Sequence, residues 1–136
     1  MTKESQTQNS SKTELAFDSY FSQMKIVPKG WGYEKWIVNK GEYCGKLLFF
    51  HKGKECSWHY HKVKDETFYI QSGTLEVTFG NTDDLKQSYV VTLGKGDRFY
   101  IPVGLRHKMK GVTDCEMFEF STEHFDEDSY RVIKGD

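Results

Sequence analysis

The sequence predicts an all-β domain, a sandwich or a closed barrel, and three observations carry that reading. Beyond Trp31, apolar and polar residues alternate at period two through eight or more short segments, each closed by a turn signal at intervals of roughly 8–12 residues. Aromatic residues make up 15% of the 136-residue chain, ample for a packed core. Two prolines and twelve glycines, set among many β-branched and aromatic residues, point away from a helical bundle. A chain of this length holds one core and not two, and the alternating pattern places it in a single domain over residues 25–136.

The elements follow in order. Residues 1–13 form a low-complexity polar tail, expected to be disordered because it has nothing to bury against the entropy of ordering. Apolar residues at 15, 16, 17, 20, 21 and 24 have the spacing of a short helix or of an edge segment docked on the domain, so residues 1–24 are assigned to a tail. Strands are then predicted at 31–38, 43–50 and 56–61, the first two ended by Asn39-Lys40-Gly41 and His51-Lys52-Gly53. Segments 66–71 and 74–79 flank Ser72-Gly73 as a tight hairpin, and 80–85 is a polar loop. Further strands are predicted at 88–93, 98–101, 105–110 and 115–121. The acidic stretch 123–128, with residues 130–133, either adds a final strand or stays loose.

Charge excludes several functions. Nineteen basic residues against twenty acidic ones give a net charge of −1, with no footprint for nucleic acid and no polybasic run for a membrane. No apolar stretch approaches the roughly 18 residues of a membrane span, and the N-terminus lacks the apolar core of a secretory signal. Three cysteines, Cys44, Cys56 and Cys115, without a C-x-x-C pair, read as reduced, packed thiols of a cytoplasmic protein.

Strand parity picks out the chemistry, because side chains two apart share a face. Glu66 shares its face with Phe68 and Ile70, and the hairpin continues that apolar face through Leu75, Val77 and Phe79. A lone carboxylate pointing into a barrel is expensive, so something must compensate Glu66. His59 and His61 project from one face of one strand, with Trp58 and Tyr60 on the other, and His107 follows Pro102 and Gly104 in a later strand. Three imidazoles and a carboxylate converging inside a barrel would satisfy a divalent transition metal.

These residues carry a family resemblance. Gly53-x5-His59-x-His61-x4-Glu66-x6-Gly73 is similar to the first cupin motif at every fixed position, and Gly96-x5-Pro102-x-Gly104-x2-His107 resembles the second through its histidine. Gly111 stands where the family often has Asn. The resemblance implies the cupin fold, a double-stranded β-helix or jelly-roll β-sandwich barrel, over about residues 26–121. It further implies His59, His61, Glu66 and His107 as ligands to Fe, Mn, Zn or Ni, with one or two coordination positions open to a small-molecule ligand or substrate. A looser resemblance links Trp31-Gly32-Tyr33-Glu34-Lys35-Trp36 and Tyr43-Cys44-Gly45-Lys46-Leu47 to cupin domains of the phosphomannose isomerase type, although His59 stands where that group often has Gln.

Aldose–ketose isomerisation needs a Lewis acid and a base that moves a proton between adjacent carbons. Tyr33, Lys46, Tyr100 and Glu119 are the candidate bases, and Arg106, with Lys46, Arg98 and Lys108, is the candidate contact for a phosphate. Tyr33, Lys46, Tyr100 and Arg106 are the expected catalytic group. The expected function is thus a sugar or sugar-phosphate isomerase or epimerase. An Fe(II)-dependent dioxygenase and a non-catalytic carbohydrate-binding cupin are the alternatives. Phe49, Phe68, Phe79, Phe118 and Phe120 are expected in the core. Trp58 and Tyr60 form an outer aromatic face on which a homodimer would close.

Overall fold

The computed structural model describes residues 20–136, in which eleven strands form two antiparallel sheets. β1 (Lys25–Lys29), β2 (Gly32–Lys40), β3 (Tyr43–Phe50), β10 (Cys115–Ser121), β5 (Glu66–Ser72) and β8 (Arg98–Ile101) make a six-stranded sheet in the order β1-β2-β3-β10-β5-β8. β11 (Tyr130–Ile133), β4 (Trp58–Tyr60), β9 (Arg106–Gly111), β6 (Leu75–Gly80) and β7 (Tyr89–Leu93) make a five-stranded sheet in the order β11-β4-β9-β6-β7. Chain order and sheet order interleave, as in a jelly roll, and the inner faces of both sheets enclose one core.

Parity decides which side chains enter that core. β3 turns Leu48 and Phe50 inward, β5 turns Phe68 and Ile70 inward, and β10 adds Cys115 and Met117, all at most 2% exposed. The opposite sheet answers with Leu75, Val77 and Met109. Trp31 stacks on Phe50 at 4.2 Å between ring centroids and closes one end. Truncating a ring such as Phe68 at 0% exposure would cost about 3–5 kcal/mol.

Turn glycines set the strands in register. Gly73 has φ +77°, and an added Cβ would collide with the Asp114 carbonyl, so the β5–β6 hairpin requires glycine there. Gly104 has φ +86° and donates its N–H to the His61 carbonyl at 2.8 Å, tying the turn before β9 to the end of β4.

Several expectations need correction. Residues 20–24 are turn and irregular chain, and the rest of the predicted helix, like the polar tail, lies outside the described residues. β1 adds a strand before the first predicted one; its alternation is too weak to signal it, since Ile26 and Val27 are adjacent and Ile26 sits 52% exposed at the sheet edge. Trp58 is not part of an outer face: it is 1% exposed, and its indole donates to the Asp83 carbonyl of the 80–85 loop at 2.8 Å. Tyr60, the other residue of that expected face, is half-buried between the Tyr130 ring and the Arg106 guanidinium. Phe68 and Phe79 join the core, but Phe49, Phe118 and Phe120 lie on the outer face of the six-stranded sheet, with Phe120 55% exposed. Their strands alternate from Leu48 and Met117, so parity alone sends them outward.

Candidate metal centre

His59 lies in β4 and His61 just past its end, His107 pairs with His59 across β4 and β9, and Glu66 opens β5. One ligand atom from each of the three imidazoles lies within 4.8 Å of the others. Glu66 Oε2 sits 3.1 Å from His61 Nε2 and 3.2 Å from His107 Nε2. Glu66, His61 and His107 are all at most 4% exposed.

The backbone sets the tautomers. His59 Nδ1 donates to the Ser57 carbonyl at 2.8 Å, His107 Nδ1 to the Leu105 carbonyl at 2.9 Å, and His61 Nδ1 to the Asp128 carbonyl at 2.9 Å. A carbonyl only accepts, so each Nδ1 carries the proton and each Nε2 keeps its lone pair for the cluster. Among the described residues, neither Glu66 Oε2 nor His107 Nε2 has a hydrogen-bond partner despite their closeness. Lone pairs and a carboxylate aimed at one buried point repel one another unless a cation lies between them. The donor set of imidazole nitrogen and carboxylate oxygen suits a divalent transition metal, so the residues fit that group. Burial, followed by the neighbouring His107 and His61 rings, pushes His59 well below the ordinary imidazole value, which keeps it neutral and ligand-competent. Burial opposes ionisation of Glu66, but the Lys64 ammonium beside it favours the charged form, and the carboxyl lies well below the usual carboxylate range.

A further layer of charge surrounds these four side chains. Lys64 is 3% exposed, and its ammonium reaches Glu119 Oε2 at 2.9 Å, His124 Nδ1 at 3.0 Å and Glu66 Oε1 at 3.7 Å. Asp128, 5% exposed, accepts the amide N–H groups of Lys62, Val63 and Lys64 at 2.9, 3.1 and 2.9 Å. It thereby pins the loop between His61 and Glu66, while its own carbonyl orients His61. Sequence reasoning missed Asp128 because the pairing spans 64 to 67 residues and leaves no local signal. The acidic stretch does not stay loose, and β11 after it pairs with β4.

A cavity of about 140 Å³ opens onto the cluster. Lys46 and Glu119 line it, joined by Glu34 and His124, neither of which was a candidate. The other expected catalytic residues are placed elsewhere. Tyr33 stacks on Phe49 on the outer face of the six-stranded sheet. Tyr100 is 54% exposed and bonds Asp65 at 2.8 Å. Arg106 lies over the Tyr60 ring at 3.7 Å and pairs with Asp83 at 2.8 Å. Arg98 is exposed and Lys108 pairs with Glu55, so neither lines the cavity. Arg106 and Lys108 flank the inward-facing His107, and period two sends both of them outward.

The sequence model of the Cupin domain family matches residues 46–121. The chain belongs to the cupin family. No curated protein sequence matches it significantly. Among solved structures, this cupin is similar to CapF in complex with the inhibitor 3-isopropenyl-tropolone (TM-score 0.71, 22% identity, 82% of this chain and 34% of that one). A second similar structure is the capsular polysaccharide assembling protein CapF from Staphylococcus aureus (TM-score 0.70, 22% identity, 82% and 35%). Oxalate decarboxylase from Bacillus subtilis is a third (TM-score 0.70, 21% identity, 82% and 30%). Another structure of that enzyme was used to study its Mn(II) centres. The cupin spans about a third of the length of these proteins, and identities this low establish the fold it shares with them. No helix among the described residues is long and apolar enough to cross a membrane.

Proposed function

We propose that His59, His61, Glu66 and His107 hold a divalent transition metal, and that this cupin acts on a small carbonyl- and hydroxyl-bearing substrate as a sugar or sugar-phosphate isomerase or epimerase. The observation that carries the metal reading is the inward convergence of three imidazoles on a buried, unpartnered carboxylate oxygen. When bound, the metal would supply Lewis acidity toward a substrate oxygen. The chain's own residues supply the rest. Lys46 places positive charge in the cavity, and the Glu34 and Glu119 carboxylates are its proton acceptors. Glu119 is tied to Lys64 and Ser121, at 2.9 and 3.1 Å, and Glu34 to the Trp36 indole and Lys46, at 2.8 and 3.4 Å, each through one carboxylate oxygen. The likeness to CapF, a capsular polysaccharide assembling protein, supports carbohydrate chemistry.

A second reading, redox or decarboxylation chemistry on a small carboxylic acid as in a dioxygenase or decarboxylase, draws on the likeness to oxalate decarboxylase with its Mn(II) centres. A homodimer in the cytoplasm completes the proposal. The surface for it moves to the outer face of the six-stranded sheet, where Phe118 and Phe120 stack at 6.0 Å.

Elemental analysis of protein purified without a metal-affinity tag tests the centre. Near-stoichiometric metal, lost in His107→Ala, is expected; no uptake after reconstitution with Mn, Fe, Zn and Ni would overturn it. For the reaction, metal-replete protein in D2O should exchange a carbon-bound proton of an aldose or its phosphate, read by NMR. Absence of exchange across a set of trioses to hexoses would refute the isomerase reading and leave the second.

A further inference from the structure

Lys46 is a buried cation whose ion pair with Glu34 is long. Its side chain is 1% exposed and lines the cavity. Among the described residues its hydrogen-bond acceptor is Glu34 Oε1, which stands at 3.4 Å and already takes the Trp36 indole N–H at 2.8 Å. The ammonium also lies over the face of the Trp36 ring, 4.2 Å from the centroid. An ammonium carries three donors, and one long contact leaves most of that capacity unspent. A buried charge in such a state is costly unless an acceptor comes to it.

The rest of the lining agrees. Five basic side chains face four acidic ones around the cavity, and a divalent ion at the histidines would raise that excess further. Register places Lys46 beside Glu119 and Glu119 beside Phe68, with Glu66 two residues along β5. Two strand spacings and two residue rises put the Lys46 and Glu66 Cα atoms about 12 Å apart. Both side chains point inward, so a molecule of a few carbon atoms spans the gap between the ammonium and the histidine cluster. The cavity of about 140 Å³ suits an occupant of that size and is well below the roughly 300 Å³ at which drug-sized sites begin.

We propose that Lys46 forms an oxyanion subsite, so that the substrate class is a small molecule whose carboxylate or phosphate is held at Lys46 while its other end reaches the His59, His61, His107 and Glu66 cluster. This rests on the cavity serving as the substrate site, as in the proposed function, but not on metal occupancy. Glu34 competes with the ligand for the same ammonium and keeps Lys46 in place until the oxyanion arrives.

The test uses the full chain treated with chelator, so that it is independent of the metal. Thermal unfolding is followed against inorganic phosphate and, separately, malonate, with chloride at matched ionic strength as control. Stabilisation by at least one of the two anions beyond chloride is expected, and which one works distinguishes a phosphate from a carboxylate substrate. Lys46→Met should lower the affinity at least tenfold. Glu34→Gln, which keeps an acceptor for Trp36, should tighten binding severalfold by removing the competitor, and it keeps the proposal testable if Lys46→Met does not fold. No stabilisation beyond chloride, equal affinity in a folded Lys46→Met, or weaker binding in Glu34→Gln would each overturn the subsite. Failure of metal uptake, by contrast, would leave these anion measurements standing.

Discussion

Replacing Asp128 should damage stability and metal binding together, although the residue touches no open face of the cavity cluster. Its carboxylate accepts three consecutive amide N–H groups, and bonds to a charged acceptor are each worth about 1.5–3 kcal/mol net. Simple addition overstates the loss, because Lys62 and Val63 lie on an exposed loop and their amides can turn to water. The Lys64 amide is buried with its residue and cannot, so it would be left unpaired at about 1–3 kcal/mol. Asp128→Ala is therefore expected to cost about 2–4 kcal/mol, and Asp128→Asn, which keeps one acceptor oxygen, about half of that. Urea denaturation of the chelator-treated protein reads this number, with the exposed Glu127→Ala as a neutral control. The pinned loop also sets Glu66 relative to His61, whose ring is oriented by the Asp128 carbonyl. Losing that support should weaken metal binding by about 10–100-fold, read by competition with a chromogenic chelator. Stability within about 0.5 kcal/mol of wild type, together with unchanged metal affinity, would refute the reasoning.

Two further outcomes follow from the buried titratable groups. Burial, then the Lys64 and Lys46 ammonium groups, holds His124 below the ordinary imidazole value, against the pull of Asp126 and Glu119. Its folded pKa lies below its unfolded one, so the stability it contributes is present above about pH 6.5 and is lost as pH falls through the folded value. His124→Gln should flatten the stability curve below about pH 6.5, and an unchanged slope in urea titrations at each pH would count against this account. All three cysteines are buried, and burial raises Cys56 to about 12 and Cys115 to about 11. Native protein should therefore leave Ellman's reagent unreacted over hours and release three thiols on unfolding; rapid native labelling of any one would contradict the packing.

The residues that can be read from the sequence are those whose partners are local. Phe68, Ile70, Leu75 and Val77 declare their face by alternation within one hairpin, and Glu66 is drawn inward with them. Strand ends are set by glycines that need positive φ, as at Gly73 and Gly104. Alternation also suffices to place Arg106, Lys108, Phe118 and Phe120 outside, once it is weighed above their closeness to His107 or their apolar character. Glu34 shares an inward parity with Trp36, and Lys46 with Leu48 and Phe50, so both are within reach of the same argument. Trp58 is not, because an outward face in a strand is buried only if a distant loop folds over it, here through the Asp83 carbonyl.

The same division runs through the histidine cluster and says which part of it depends on the whole fold. His59 and His107 each donate Nδ1 to the carbonyl two residues earlier, Ser57 and Leu105, so their tautomer and tilt come from the chain path of their own segments. His61 donates instead to Asp128, 67 residues away, which sits where the chain enters β11. Two of the three rings are therefore set as soon as β4 and β9 pair, whereas the third waits for β11 to dock on β4. Glu66 waits with it, since the loop leading to β5 is held by the same Asp128 carboxylate. The acidic segment that carries no motif is what converts two locally placed imidazoles into a four-donor cluster.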